Sequence, residues 1–234
     1  QYFEFIARHH FAKLDGITIP ESLNGKYFKV KGGVLTEITS AGQSYLSGQG
    51  RNGVLVLPSS ITRIDNSVFT QRFQNFKAIY AEGVTEVGSY AFNETGSLNF
   101  AHLPKLKKLG EAVFTDNASL TAVNFPLLEE IGDVCFTGGA NFSGNGLKIT
   151  YVSIPAAKKI GSGAFHGNYK HSGVTFILGA QPEVNTKAYE DYPQEGFVAF
   201  GQLKSPILYV TPEHLKTYTL TDGKWHGFTV QELK

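Results

Sequence analysis

The chain has 234 residues, a net charge of +1, and 18% charged against 41% hydrophobic residues. That is a globular balance, with no basic excess for nucleic acid or an anionic membrane and no apolar run of the roughly 20 residues that span a bilayer. A single cysteine, Cys135, rules out an intrachain disulfide framework and a Cys-rich zinc site. With Gln at position 1 and no Met anywhere, the chain is expected to be processed or excised, so the lack of a leader says nothing about where it resides.

In chain order, Phe3, Ile6, Ala7, His10, Phe11 and Leu14 fall at helical spacing and Asp15-Gly16 closes the run. This predicts a short amphipathic helix with a glycine C-cap. ITIP (17–20), KYFKV (26–30) and VLTEI (34–38) then predict a few strands. Residues 1–51 are expected to form an N-terminal cap or a degenerate first repeat.

From residue 52 the chain repeats itself. ITRIDNSVFTQ (61–71), VTEVGSYAFNE (84–94), LKKLGEAVFTD (106–116), LEEIGDVCFTG (128–138) and AKKIGSGAFHG (157–167) share one pattern. It ends on Phe69, Phe92, Phe114, Phe136 and Phe165, spaced 23, 22, 22 and 29 residues apart. Gly88, Gly110, Gly132 and Gly161 follow the aliphatic residue in four copies, with Asp65 in the first. These positions are expected to be tight turns, with glycine chosen for its ease at positive φ. Cys135 stands where the other copies carry Val68, Ala91, Val113 and Ala164, which predicts a small, buried, inert thiol.

Between the copies lie VLVLP (54–58), FKAIYA (76–81), LNFAHLP (98–104), LTAVNFP (120–126), ITYVSIP (149–155) and VTFIL (174–178). These are β-branched and aromatic, and several stop at proline, as strands bounded by turns do. A unit of about 22 residues has little room for a helix and cannot bury its own apolar face. Stacked units can, so the expected fold is a repeat solenoid with a continuous parallel sheet. Phe76, Ile79 and Ala81 align with Leu98, Ala101 and Leu103, with Leu120, Val123 and Phe125, and with Ile149, Val152 and Ile154. These columns point inward with the repeat phenylalanines. The repeats are expected over 52–205, with an insertion at GGANFSGNG (138–146) and a long interval at 179–202 whose VAF (198–200) echoes the repeat. A closing segment over 206–234 carries strand 207–210, Leu215 and Tyr218 on a short helix, then Trp225, Phe228 and Val230.

The pattern L-x-x-[VI]-x-[FIL]-P-x-[LVA]-x-x-[IL]-G-x-x-[AV]-F resembles the BspA-type leucine-rich repeat of bacterial surface proteins, and 206–234 is similar to the closing segment common among them. The resemblance implies a leucine-rich-repeat solenoid, predominantly β, with an extracellular or cell-surface location and a part in adhesion or ligand capture. A spacer in a larger surface protein is the alternative. An enzyme with a site in the N-terminal segment or the 138–146 insertion is a weaker one.

Motifs for nucleophilic, phosphate, zinc or calcium chemistry are missing, and the seven histidines are scattered, so no catalytic residue, metal site or cofactor is expected. His9-His10 are adjacent on the predicted helix, about 100° apart, and cannot comfortably share an ion. The outward strand positions carry more chemistry. One column reads Ala78, Phe100, Ala122, Tyr151, and the next reads Tyr80, His102, Asn124, Ser153. Aromatic faces beside amide and hydroxyl groups suit a glycan or peptide, which makes Tyr80, Phe100, His102, Asn124, Tyr151 and Ser153 the candidate ligand-binding residues. Six strands about 4.8 Å apart give a face of roughly 240–400 Å². The expected partner is a host or environmental glycan, a peptide or an extracellular protein, with no nucleic acid and no membrane span. Lys107-Lys108, Glu129-Glu130 and Lys158-Lys159 occupy one repeat position with alternating sign, which predicts a solvated ladder of weak ion pairs. Reversing Glu129 and Glu130 to lysine is expected to lower the melting temperature modestly, with the loss shrinking as salt is raised; a salt-independent loss would argue against the ladder.

Overall fold

The computed structural model describes residues 17–18, 25–48, 54–70, 77–96, 98–138, 148–167, 173–190 and 198–233. The predicted helix over 3–14 with His9-His10, the inward residue Phe76 and nearly all of the 138–146 insertion lie outside them.

The chain begins with β1 (Ile17–Thr18), a hairpin of β2 (Phe28–Lys31) and β3 (Val34–Ile38), and helix α1 (Ser40–Gly48). The repeats then alternate a longer strand with a two-residue one. These are β4 (Val54–Val56), β5 (Arg63–Ile64), β6 (Ala78–Tyr80), β7 (Glu86–Val87), β8 (Phe100–His102) and β9 (Lys108–Leu109). The same alternation continues through β10 (Ala122–Asn124), β11 (Glu130–Ile131), β12 (Tyr151–Ser153), β13 (Lys159–Ile160), β14 (Thr175–Leu178) and β15 (Glu183–Val184). β16 (Ile207–Val210), a single-turn helix α2 (Pro212–Leu215), β17 (Lys224–Trp225) and β18 (Phe228–Glu232) close the chain.

Each coil therefore has two strand sides. The two-residue strands join β2 and β3 in one unbroken sheet of eight, ordered β15-β13-β11-β9-β7-β5-β3-β2. On the other side the longer strands form two sheets, β1-β4-β6-β8 and β10-β12-β14-β16-β18-β17. The expectation of one continuous sheet from the longer strands is thus corrected. That side divides between β8 and β10, and continuity runs along the short return segments, for which the sequence predicted no strand. All pairings between coils are parallel, while the hairpins β2–β3 and β17–β18 are antiparallel.

A third side carries hydrogen bonds from coil to coil without regular strands. The amide of Phe69 donates to Ala91 at 2.9 Å, Phe92 to Val113 at 3.1 Å, Phe114 to Cys135 at 2.8 Å and Phe136 to Ala164 at 2.8 Å. These bonds align the phenylalanine rings in a buried stack. Centroids of Phe69, Phe92, Phe114, Phe136 and Phe165 are separated in turn by 5.0, 5.5, 5.4 and 5.0 Å, with ring planes within 15° of parallel. Phe200 adds a further ring 5.9 Å from Phe165, and Phe165 donates to the Ala199 carbonyl at 2.8 Å, so VAF (198–200) is a full turn of the repeat. The inward columns named from the strands are buried too, apart from half-buried Ala101.

A threonine after the phenylalanine ties neighbouring coils from within. Thr70 donates to the carbonyl of Tyr90, Thr115 to Val134 at 2.5 Å and Thr137 to Gly163 at 2.7 Å. The accepting residue is the one in the left-handed region. Ser67, Tyr90, Ala112, Val134 and Gly163 have φ between 47° and 60°. The repeat glycines two residues earlier do not, which corrects the reason given for them. They are required by crowding: a Cβ on Gly132 would lie 2.4 Å from the Gly110 carbonyl oxygen, and one on Gly110 would lie 2.6 Å from the Ser89 amide nitrogen.

The ends use the same bonds. β1 pairs with β4, and β3 pairs with β5, so these two strands continue both strand sides. α1 carried no clear apolar period and was not anticipated; Thr39 caps it by accepting the Gly42 amide at 3.1 Å. At the far end Trp225 and Phe228 are buried against Phe200. Tyr218 lies beyond α2 rather than on it and donates to the Gly179 carbonyl at 3.0 Å. Phe114 sits mid-stack between two parallel rings and edges none of the solvent. Phe114→Ala is expected to cost about 3–5 kcal/mol, read as a thermal melt lowered by roughly 2–4 °C per kcal/mol for a chain of this size.

Candidate interaction face

The outward positions of the longer strands are set by parallel register. Ala78 pairs with Phe100 and Tyr80 with His102 across β6–β8; Ala122 pairs with Tyr151 and Asn124 with Ser153 across β10–β12. The six candidate residues therefore fall into two groups on two sheets. Tyr80, Phe100 and His102 come together on the first. Asn124, Tyr151 and Ser153 come together on the second, and all six are half-buried.

In the first group the Tyr80 and His102 rings lie parallel, 4.5 Å between centroids and 8° between planes. Phe100 follows at 6.5 Å and 12° from His102. The Tyr80 hydroxyl donates to Glu82, and the same carboxylate oxygen lies 3.5 Å from His102 Nε2. Glu82 thus belongs to the cluster although it stands in the turn after β6, outside any strand column, which is why the outward columns omitted it. Because Tyr80 and His102 turn faces toward each other, the cluster offers less open ring face than two separate aromatics would.

The second sheet extends both columns further. Parallel register places Thr175 and Ile177 beside Tyr151 and Ser153, then Ile207 and Tyr209, then Thr229 and Gln231. Their signal lay in the strands read at 174–178 and 207–210, carried two rungs on. With nine parallel strands ranged along this side, the face grows to about 38 Å by 10–17 Å, roughly 380–650 Å².

The 179–202 interval departs from the repeat only in part. Glu183–Val184 pair with Lys159–Ile160 as the other coils do, and the Asn185 amide donates to Ile160 at 2.8 Å. The chain then reaches back along the stack. The Lys187 carbonyl accepts Ser162 Oγ at 2.6 Å, and Tyr189 packs on Ala112 and Val134. The Tyr189 and Tyr90 hydroxyls both donate to Glu111 Oε1 at 2.5 Å.

Buried titratable groups are held by the scaffold. Cys135 is fully buried, burial pushes its thiol up to about 12, and Sγ donates to the Gly110 carbonyl at 2.7 Å. Burial raises the Tyr218 phenol, and partial desolvation lowers the imidazole of exposed His226. His166 takes the threonine place in its coil. Burial lowers its pKa, and a hydrogen bond to the Val198 backbone pulls less strongly the other way. Among the described residues no three His, Cys, Asp or Glu side chains gather as a metal site would require, and no helix is long and apolar enough to cross a membrane.

A family model described as the BspA type leucine rich repeat region matches residues 44–172 in six copies, more than half of the chain. The chain belongs to this family. Membership makes it a repeat interaction module, in a family that is generally non-catalytic and typically surface-associated. Among curated proteins none matches the chain. The BspA-type match starts within α1 and stops before Phe200, the further turn of the repeat that the ring stack reveals.

His166 supplies a pH signature. Its folded pKa lies below the ordinary value of 6.5, so the unfolded chain takes up the proton first; the associated stability is present above about pH 6.5 and is lost as pH falls through the folded value. The melting temperature is expected to drop between about pH 7 and pH 5, above the range where the lowered carboxylates Glu129 and Glu213 titrate. His166→Thr, which restores the residue of the two preceding coils, is expected to flatten that slope and leave the part due to His226. An unchanged slope would remove His166 from the account.

Proposed function

We propose that the chain is a non-catalytic, extracellular or cell-surface module that holds an extended peptide or a protein surface across the outward face of β6, β8, β10, β12, β14 and β16. The observation that carries this reading is the pair of in-register columns, with aromatic and aliphatic side chains set among Asn124, Ser153 and Thr175. Half-buried aromatic groups beside amides and hydroxyls are the composition of adaptable protein contacts. Tyr80 and His102 stack on one another at 4.5 Å, which supports a partner that packs on ring edges and aliphatic groups over a sugar that needs an open ring face. The area remains below the about 800 Å² that each partner gives to a standard protein interface. An extended segment lying along the columns suits it better than a broad globular surface.

The test is binding of the purified chain to a mixed array of extracellular matrix proteins, peptides and glycans, beside a Tyr80→Ser/Phe100→Ser/Tyr151→Ser variant. The expected outcome is a peptide or protein ligand whose binding falls at least about tenfold in the folded variant, as the loss of central aromatic anchors predicts. A glycan-only signal would overturn the ligand class. Binding that the variant retains would overturn the face.

A further inference from the structure

The other strand side carries a charge row of its own. On the unbroken sheet, parallel register aligns Arg63, Glu86, Lys108, Glu130, Lys159 and Glu183, one from each successive coil. The signs alternate without a fault from Arg63 to Glu183. Neighbours pair loosely: Arg63 Nε to Glu86 at 3.7 Å and Lys108 Nζ to Glu130 at 3.3 Å, with these side chains 39–54% exposed. Beside the row lies a trough of about 350 Å³, bordered by Lys108, Glu130, Lys159 and Glu183 and lined along its floor by Gly110, Gly132 and Gly161.

An alternating row with an even number of members has a definite symmetry. Under a two-fold axis parallel to the strands, the stack direction reverses and each member meets the one equally far from the other end. Arg63 then faces Glu183, Glu86 faces Lys159, and Lys108 faces Glu130, so that every facing pair is of opposite charge. A two-fold along the stack would instead set each charge against itself. The second column agrees with the first geometry. There Lys107 and Glu129, bonded coil to coil at 2.9 Å through the backbone, face each other, and Lys158 meets uncharged Thr85.

We propose that this row is a docking surface for a second copy of the chain, in a two-fold pair whose stacks run antiparallel. The contact is isologous, as a two-fold requires, and the glycine trough gives the partner's long side chains room to lie flat. Six facing strands, β5 to β15, about 4.8 Å apart and a width of about 10–15 Å give roughly 240–360 Å² per copy, with β2 and β3 overhanging. That is less than half of a standard interface, so the pair is weak and depends on charge.

The decisive variant inverts the whole row: Arg63→Glu, Glu86→Lys, Lys108→Glu, Glu130→Lys, Lys159→Glu and Glu183→Lys. Alternation within the chain survives, so the ladder that helps the fold is kept. Sedimentation equilibrium at about 0.5–1 mM protein and about 20 mM salt is expected to show each protein approaching twice its monomer mass. Association should fall at least about tenfold at 0.5 M salt, where screening shortens to a few ångströms. Mixed after labelling, the two proteins are expected to pair with themselves and not with each other, because inverted and native rows meet with like charges throughout. A monomeric native chain at low salt, an association indifferent to salt, or native–inverted pairs as abundant as the self-pairs would each overturn the proposal. If the inverted chain does not fold, Lys108→Gln/Glu130→Gln serves in its place. It puts no like charges together and is expected to weaken the native pair several-fold, while an unchanged association would count against the row. Tyr80→Ser/Phe100→Ser/Tyr151→Ser must leave the pair intact, since loss there would move the contact to the opposite side.

Discussion

Backbone hydrogen bonds from each coil to the next hold every side chain of one repeat position at a fixed separation from its counterparts. They run on all three sides of the coil, through the two-residue strands, the phenylalanine segment and, except between β8 and β10, the longer strands. The strand spacing of about 4.8 Å is a property of the peptide group and not of any residue. It turns positions into columns. Rings stacked 5.0–5.9 Å apart, hydroxyls reaching the next carbonyl, and charges meeting their opposites all follow from that one repeat distance.

The same distance limits what each column accepts. Glycine at the corner after the short strand is a packing requirement, since the preceding coil's backbone occupies the place of a Cβ. The left-handed residue two positions on tolerates Tyr90 and even β-branched Val134, because its carbonyl is fixed by a donor from the neighbouring coil. Such conformations persist only where the surroundings over-determine them. His166 fits the threonine column because an imidazole can also hydrogen-bond a carbonyl, and the cost of that substitution is a buried titratable ring. Like charges in the outer row would sit at strand spacing and repel, so alternation is the stable arrangement there.

These columns give the two strand sides different characters. The longer strands present aromatic, aliphatic and amide groups, which favour contact with another molecule's apolar and backbone groups. The short strands present charge in an ordered row, which favours recognition by symmetry and responds to salt. The irregular coil near residue 189 joins neither side. Tyr189 instead ties the third side together by sharing Glu111 with Tyr90.

Much of this was legible in the sequence because a repeat position reports its own environment many times over. Phe69 to Phe165 recur at nearly constant spacing, so their inward direction, the buried neighbours at Val68 and Cys135, and the sign alternation at Lys108 and Glu130 were decided by the chain alone. What the sequence left undecided concerns relations between coils. VTEV (84–87) and LKKL (106–109) carry no strand signal of their own, and they become strands because a neighbouring coil supplies the hydrogen-bonding edge. Nothing in FAH or AVN marks the division between β8 and β10, which separates Tyr80, Phe100 and His102 from Asn124, Tyr151 and Ser153. The glycines announced a special backbone site, and only the adjoining coil showed that the constraint is space and not φ. Local periodicity determined which way side chains point. The tertiary structure decided which of them meet, because meeting depends on hydrogen bonds between segments more than twenty residues apart.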